Sequence, residues 1–239
     1  MLALEMPRAR RLLAYLAARG WLARVRRGMY ITVPLEATEP SQWREDPWIV
    51  ATAAFSPCYM AGLSACEHWG LTDQIFRDVF VTTAKRVQRR RLEIQGTSFR
   101  LKVLPEAKLF GTRSVWRARV RVQVSDPSRT VVDLLDEPRL GGGIRHVAEV
   151  LLAYFEGEHR DDARLVEYAS RLDNRTVFKR LGYLIETLDV DAPRVLAACL
   201  ERQSSGASPL DPSVHTKGRF LRRWNLRVNV EIVPQAGPG

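Results

Sequence analysis

The hydrophobic period changes midway along this chain, and that change restricts the folds open to it. Between Asp78 and Val124 apolar residues alternate with polar ones, as on a strand whose two faces differ. From Gly143 to Glu201 they recur at steps of three and four, as on amphipathic helices. Asp126-Pro127 stands near the junction and reads as a helix start, with the carboxylate as cap and the proline in the first turn. A run of strands followed by a run of helices gives an α+β domain.

In detail, residues 79–81, 92–96, 98–103 and 115–124 read as strands, and residues 144–155, 163–172, 176–188 and 193–201 as helices capped by residues such as Asp161, Asn174 and Asp191. Upstream, Asp46-Pro47 opens an apolar helix to Phe55, and residues 63–69 form a second short one. After a polar loop over 203–213, residues 224–233 alternate again, and a late strand of this kind is expected to return to the sheet of residues 78–124. With 239 residues and 46% hydrophobic content the chain can build a real core, which excludes disorder and collagen-like structure. Charges or prolines interrupt every apolar run before the roughly 18 residues of a membrane span, so no membrane partner is expected. The three cysteines, Cys58, Cys66 and Cys199, are too few and too odd for a disulfide framework and fit a reducing cytoplasm.

Charge is distributed unevenly. Residues 1–130 hold 22 Lys+Arg against 11 Asp+Glu, whereas the remaining 109 hold 15 against 16, so the whole excess of +10 lies in the first half. An anionic partner, nucleic acid first and an anionic membrane surface second, accounts for such asymmetry; an arginine-rich solvated surface is the plainer reading. Residues 7–20 read as a helix that starts at Pro7 and stops at Gly20, with Leu12, Leu13 and Leu16 as its apolar face and Arg8, Arg10 and Arg11 at its start. Residues 21–33 alternate around Arg26-Arg27-Gly28 and read as a β-hairpin with an arginine tip. Helix followed by basic hairpin is the second half of a winged helix-turn-helix. Its helix would offer Arg8, Arg10 and Arg11 to base edges, and its wing would set Arg24, Arg26 and Arg27 on phosphates or in the minor groove. A full winged helix has two helices before the recognition helix, and only six residues precede Pro7, so a partial unit is expected over 1–40, joined through the polar segment 34–42 to a mixed domain over 41–239 with a β-sheet and a helical bundle.

The run 115–124, read as one strand, sets Arg117, Arg119 and Arg121 on one face and Ala118, Val120, Val122 and Val124 on the other. That positive stripe, with Lys85, Arg86, Arg89, Arg90 and Arg91 near it in sequence, reads equally as a secondary phosphate surface or as a charged sheet edge.

No catalytic, metal or cofactor site is expected. Gly62-Leu-Ser-Ala-Cys66 begins like a nucleophile elbow but ends in Cys, with no clear strand leading in. Cys58, Cys66 and His68 lack a C-x-x-C pair and a fourth ligand. Gly141-Gly-Gly143 lacks the endings of phosphate and dinucleotide loops. Asp133, Asp136 and Glu137 read as a solvated helix face, and a Mg²⁺-dependent nuclease built on Asp133 and Asp136 is the least favoured reading.

Several ordered segments resemble a known family. The hairpin Val25-Arg-Arg-Gly-Met-Tyr30, the helix start Ser125-Asp-Pro-Ser-Arg-Thr-Val-Val-Asp133, the segment Lys179-Arg-Leu-Gly-Tyr-Leu184, and the closing Ser208-Pro-Leu-Asp-Pro212 and Trp224-Asn-Leu-Arg-Val-Asn229 are similar to the AbiEi-type antitoxins of type IV toxin–antitoxin systems. The resemblance spans nearly the whole chain and implies two jobs. An N-terminal winged helix would bind inverted repeats in promoter DNA as an autorepressor, through Arg8, Arg10, Arg11, Arg24, Arg26 and Arg27. A C-terminal domain would counter a nucleotidyltransferase-like toxin encoded nearby, without requiring a stable complex. The alternative is a protein that neutralises an acidic partner toxin by direct binding or modification, without binding DNA.

Overall fold

A computed structural model describes residues 5–26, 28–34 and 43–233. It opens on helix α1 (Met6–Ala18) and an antiparallel hairpin, β1 (Leu22–Arg26) with β2 (Met29–Thr32). Gly28 turns the hairpin at φ +78°, in the left-handed region that glycine enters without steric cost. The linker expected at 34–42 and the boundary expected near residue 40 fall largely on residues 35–42, outside the described residues.

Next come α2 (Pro47–Phe55), β3 (Cys58–Met60), α3 (Gly62–His68), β4 (Asp78–Thr83), β5 (Arg91–Ile94), β6 (Thr97–Val103), β7 (Thr112–Arg117) and β8 (Val120–Ser125). The six strands form one mixed sheet in the order β5-β6-β4-β3-β8-β7, parallel at β4/β6 and β3/β8 and antiparallel elsewhere. The central strands are buried on both faces. In β4, Val79 and Val81 point into the cluster formed with α2, whereas Phe80 between them joins the cluster of the helical half. Asp46 caps α2 by accepting the Trp48 N–H at 2.7 Å, as its sequence position predicts.

The helical half follows as α4 (Pro127–Asp136), α5 (Ile144–Glu156), α6 (Asp162–Leu172), α7 (Thr176–Thr187) and α8 (Pro193–Arg202). Asp126 caps α4 through the Arg129 N–H at 2.8 Å, and Asp161 caps α6 through the Arg164 N–H at 2.9 Å. Every residue from Pro127 to Leu135 is buried, because α4 packs against the sheet on one side and against α5, α6 and α7 on the other. The architecture is α+β, as the change of period predicts.

Two strand expectations are corrected. Residues 115–124 are not one strand: the chain reverses at Ala118-Arg119, with Ala118 at φ +50°, and β7 pairs back on β8 so that Arg117 faces Val120 and Trp116 faces Arg121. The closing strand does not return to the large sheet. Trp224 ends a turn of 3-10 helix, and β11 (Leu226–Val228) lies between β10 (Arg219–Leu221) and β9 (Ser208–Pro209) in a separate three-stranded sheet. That sheet closes over α7, where Trp224 is fully buried against Gly182: a Cβ on Gly182 would stand 2.1 Å from the indole.

Candidate nucleic-acid interface

Helix α1 has no buried residue. Leu13, Leu16 and Ala17 are half-buried on the side it turns to β1, while Arg8, Arg11, Leu12, Tyr15 and Arg19 are all exposed. Steps of three and four between the last five place them in one outward stripe. The Arg19 guanidinium lies 5.4 Å from the centre of the Tyr15 ring, and Arg10 is exposed on the flank. Such a stripe combines arginines, which match guanine edges and phosphates, with leucine and tyrosine surfaces suited to thymine methyls.

The angle between helix and hairpin is fixed by the helix end. Trp21 N–H donates to Leu16 O and Gly20 N–H to Ala17 O, each at 3.1 Å, with Gly20 at φ +76°. This is a Schellman stop, which glycine permits. Val33 N–H then donates to Trp21 O at 3.0 Å and ties the far end of β2 back to the same corner. Arg24 stands exposed on β1 beside a register shift between Arg24 and Arg26. The Arg26 side chain and all of Arg27, both wing candidates, lie outside the described residues. Val25 and Met29 reach inward to the α2 side of the large sheet and seat the hairpin there. A cleft of about 660 Å³ results, lined by Arg19, Arg24 and Arg44 together with Trp43 and Gln95. Sequence reasoning missed Arg19 and Arg44. Arg19 follows Arg8, Arg11 and Tyr15 at helical steps, but burial is what shows that it faces outward; Arg44 enters only through tertiary placement.

The secondary stripe dissolves. A two-residue turn inverts the parity of the strand before it, so Arg117 is carried to the inner face, where its guanidinium lies 4.3 Å from the centre of the Trp48 ring and its Nε 4.0 Å from Asp46. Arg119 occupies the turn, and Arg121 is exposed on the opposite face beside Trp116. The three do not form one surface.

The other chemistry-bearing residues are enclosed. Contrary to the solvated face expected, Asp133 has no exposed surface; it accepts from Tyr59 Oη at 2.8 Å and pairs with Arg129 at 3.0 Å. Asp136 accepts from Lys102 Nζ and Asn174 Nδ2, each at 2.5 Å. Burial raises the Asp136 pKa, but the Lys102 ammonium and these hydrogen bonds outweigh it and hold the carboxyl below its ordinary range. Neither carboxylate is open to a metal, and among the described residues no group of three His, Cys, Asp or Glu side chains could hold one. A strand, β3, does lead into α3, but Ser64 is buried there and its Oγ accepts the Phe80 N–H at 3.0 Å. Burial raises the Cys58 thiol to about 11 and the Cys66 thiol higher still, so neither is a thiolate at neutral pH. The N-terminus of α5 after Gly141-Gly-Gly143 is filled from within, because Asp211 Oδ2 accepts the Ile144 N–H at 2.8 Å. Among the described residues no helix is long and apolar enough to cross a membrane.

The comparisons with known proteins bear on the fold. The chain resembles the crystal structure of the RV2827C protein from Mycobacterium tuberculosis, with a TM-score of 0.61 at 16% identity over 94% of this chain and 80% of that one. No family model matches the chain. No curated protein matches it either. At that identity the likeness speaks for a shared α+β architecture.

Apart from the hairpin at residues 25–30, the segments that carried the family resemblance meet in the helical half, and there they act as scaffold. Buried Lys179 donates to Gly206 O and Ser208 Oγ, and Arg180 donates to Leu135 O at 2.6 Å and Leu210 O at 2.9 Å. Trp224 Nε1 donates to Glu186 at 2.6 Å, and Asn229 Nδ2 donates to Asp211 O at 2.7 Å. Their exposed chemistry is small, which leaves α1 and its hairpin as the candidate interface.

Proposed function

We propose that this chain is a non-enzymatic, cytoplasmic antitoxin of the type IV kind that also binds double-stranded promoter DNA as an autorepressor. The observation that carries the DNA-binding part is the exposed stripe Arg8-Arg11-Leu12-Tyr15-Arg19 on α1, held by a Schellman stop at a fixed angle to a hairpin bearing Arg24. A recognition helix and wing arranged in this way set α1 in the major groove and the hairpin along the backbone. The antitoxin part rests on the ordered resemblance of the sequence segments. On that reading the helical half counters a nucleotidyltransferase-like toxin encoded nearby.

DNA binding is tested by fluorescence anisotropy with a duplex carrying the inverted repeats upstream of the gene. Log K falls with log[salt] by about 0.9 for each phosphate neutralised. Arg24→Ala weakens specific and mixed-sequence duplexes alike, whereas Arg8→Ala or Arg11→Ala also narrows the gap between them, by about 1–3 kcal/mol for each arginine–base pairing removed. An affinity indifferent to salt would sink the assignment. Antitoxin action is scored separately, as growth rescue when the neighbouring toxin gene is co-expressed with this chain.

A further inference from the structure

The densest run of basic residues in the sequence lies outside α1 and its hairpin. Between Thr83 and Arg91 the chain crosses from β4 to the edge strand β5 through residues 84–90, which hold Lys85, Arg86, Arg89 and Arg90 and no acidic residue. Lys85 is anchored, its Nζ donating to Ala54 O at 3.0 Å. Arg91 stands 3.9 Å from Asp78. Arg86, Arg89 and Arg90 are exposed, and among the described residues none of their guanidinium groups makes a hydrogen bond or ion pair, although the Arg90 carbonyl accepts the Leu101 N–H at 2.7 Å. Beneath this loop lies a pocket of about 280 Å³ with Phe55, Val87, Leu92 and Leu101 as its floor and Arg86 and Arg89 on its rim.

Cations over an apolar hole specify a partner that is acidic and carries an aliphatic side chain. A nucleic-acid backbone would engage the arginines but leave the hole unfilled. A nucleobase would need an accessible aromatic face, and Phe55, the aromatic in the floor, is only 1% exposed. The volume lies below the roughly 300–1,000 Å³ of sites that enclose drug-sized molecules, and suits an anchoring side chain instead. Arginine pairs carboxylates bidentately, so acidic residues flanking such an anchor would both neutralise the loop and fix the register of the segment.

We propose that the β4–β5 loop is a docking surface for an acidic polypeptide segment of a partner protein, which seats an aliphatic side chain against the part-exposed Val87 and Leu92 and sets its carboxylates on Arg86, Arg89 and Arg90. The proposal is independent of DNA binding by α1.

The test uses the full chain and two fluorescein-labelled peptides, one of two leucines flanked on each side by three glutamates and one with serines in place of the leucines, beside a mixed-sequence DNA duplex. The leucine peptide binds at least about tenfold more tightly than the serine peptide, equivalent to about 1.4 kcal/mol. The triple substitution R86A/R89A/R90A weakens the leucine peptide by at least about tenfold, while duplex affinity and the thermal midpoint stay unchanged. Val87→Asp, which sets a carboxylate in the pocket, weakens it similarly without removing an arginine. Three results overturn the proposal: equal binding of the two peptides, peptide binding indifferent to both variants, or a loss of duplex affinity with a shallower salt slope in the triple variant, which would make the loop a phosphate contact.

Discussion

Arg129 has no exposed surface, and its charge is answered by Asp133 one helical turn away, by the hydroxyl of Tyr59 at 3.0 Å and by the face of Phe110 at 4.1 Å. Removing one member of such a pair strands the other charge in the core. Asp133→Ala is expected to cost about 3–5 kcal/mol, whereas the double substitution Arg129→Met with Asp133→Leu costs far less because no charge remains to be desolvated. Urea unfolding of the two variants distinguishes them, and equal losses would show that packing volume, not charge, is what matters. Gly182 makes the opposite demand. Alanine is the better helix former by about 1 kcal/mol, yet its Cβ would collide with Trp224, so Gly182→Ala should lower the thermal midpoint through overpacking of about 1–3 kcal/mol. At this scale the sequence discloses what is local. Asp46, Asp126 and Asp161 were readable as caps because a cap needs only its own next three residues. Asp133 was misread because an i, i+4 Arg–Asp pair looks the same on a surface as in a core, and the Tyr59 that encloses it lies 74 residues away.

The elements show where periodicity informs and where it misleads. Helices α5 to α8 fall close to their expected spans, since each keeps one apolar stripe over ten or more residues. The β7–β8 hairpin was hidden because apolar and polar residues go on alternating through its turn, and neither glycine nor asparagine marks Ala118-Arg119. Arg117 therefore moved to the inner face, and the expected arginine stripe went with it. Helix α1 was visible in outline from Pro7 and Gly20, but its outward stripe needed burial to define it. With no buried residue of its own, α1 depends on the geometry of its end. Gly20→Ala places a side chain in the left-handed region at a cost of about 1–2 kcal/mol. DNA affinity should fall and amide exchange over residues 8–20 should accelerate, while the thermal midpoint of the main domain stays constant. Unchanged exchange would detach the hairpin angle from the Schellman stop.

Across the whole molecule, three carboxylates join elements that the sequence could not show to be neighbours. Asp78 binds Arg100 across β4 and β6, Asp136 ties α4 to β6 through Lys102 and to the start of α7 through Asn174, and Asp211 fastens the small C-terminal sheet to the N-terminus of α5. In each, burial raises the pKa, and hydrogen bonds and cations more than offset it, so all three titrate below the ordinary carboxylate value of 3.8. A carboxyl depressed in the folded state binds fewer protons there than in the unfolded chain. Its contribution is therefore complete above the unfolded value and disappears as pH falls through the folded one. The urea midpoint should change little between pH 7 and 5 on this account and drop steeply below about pH 4. Asp136→Asn should lower it at pH 7, where Lys102 loses its nearer counter-charge and keeps only Glu137 at 3.9 Å, and flatten the acid limb, because one of the titrating ties is gone. An acid limb as steep in Asp136→Asn as in the parent would mean that the Lys102–Asp136 bridge contributes nothing to holding α4 on the sheet.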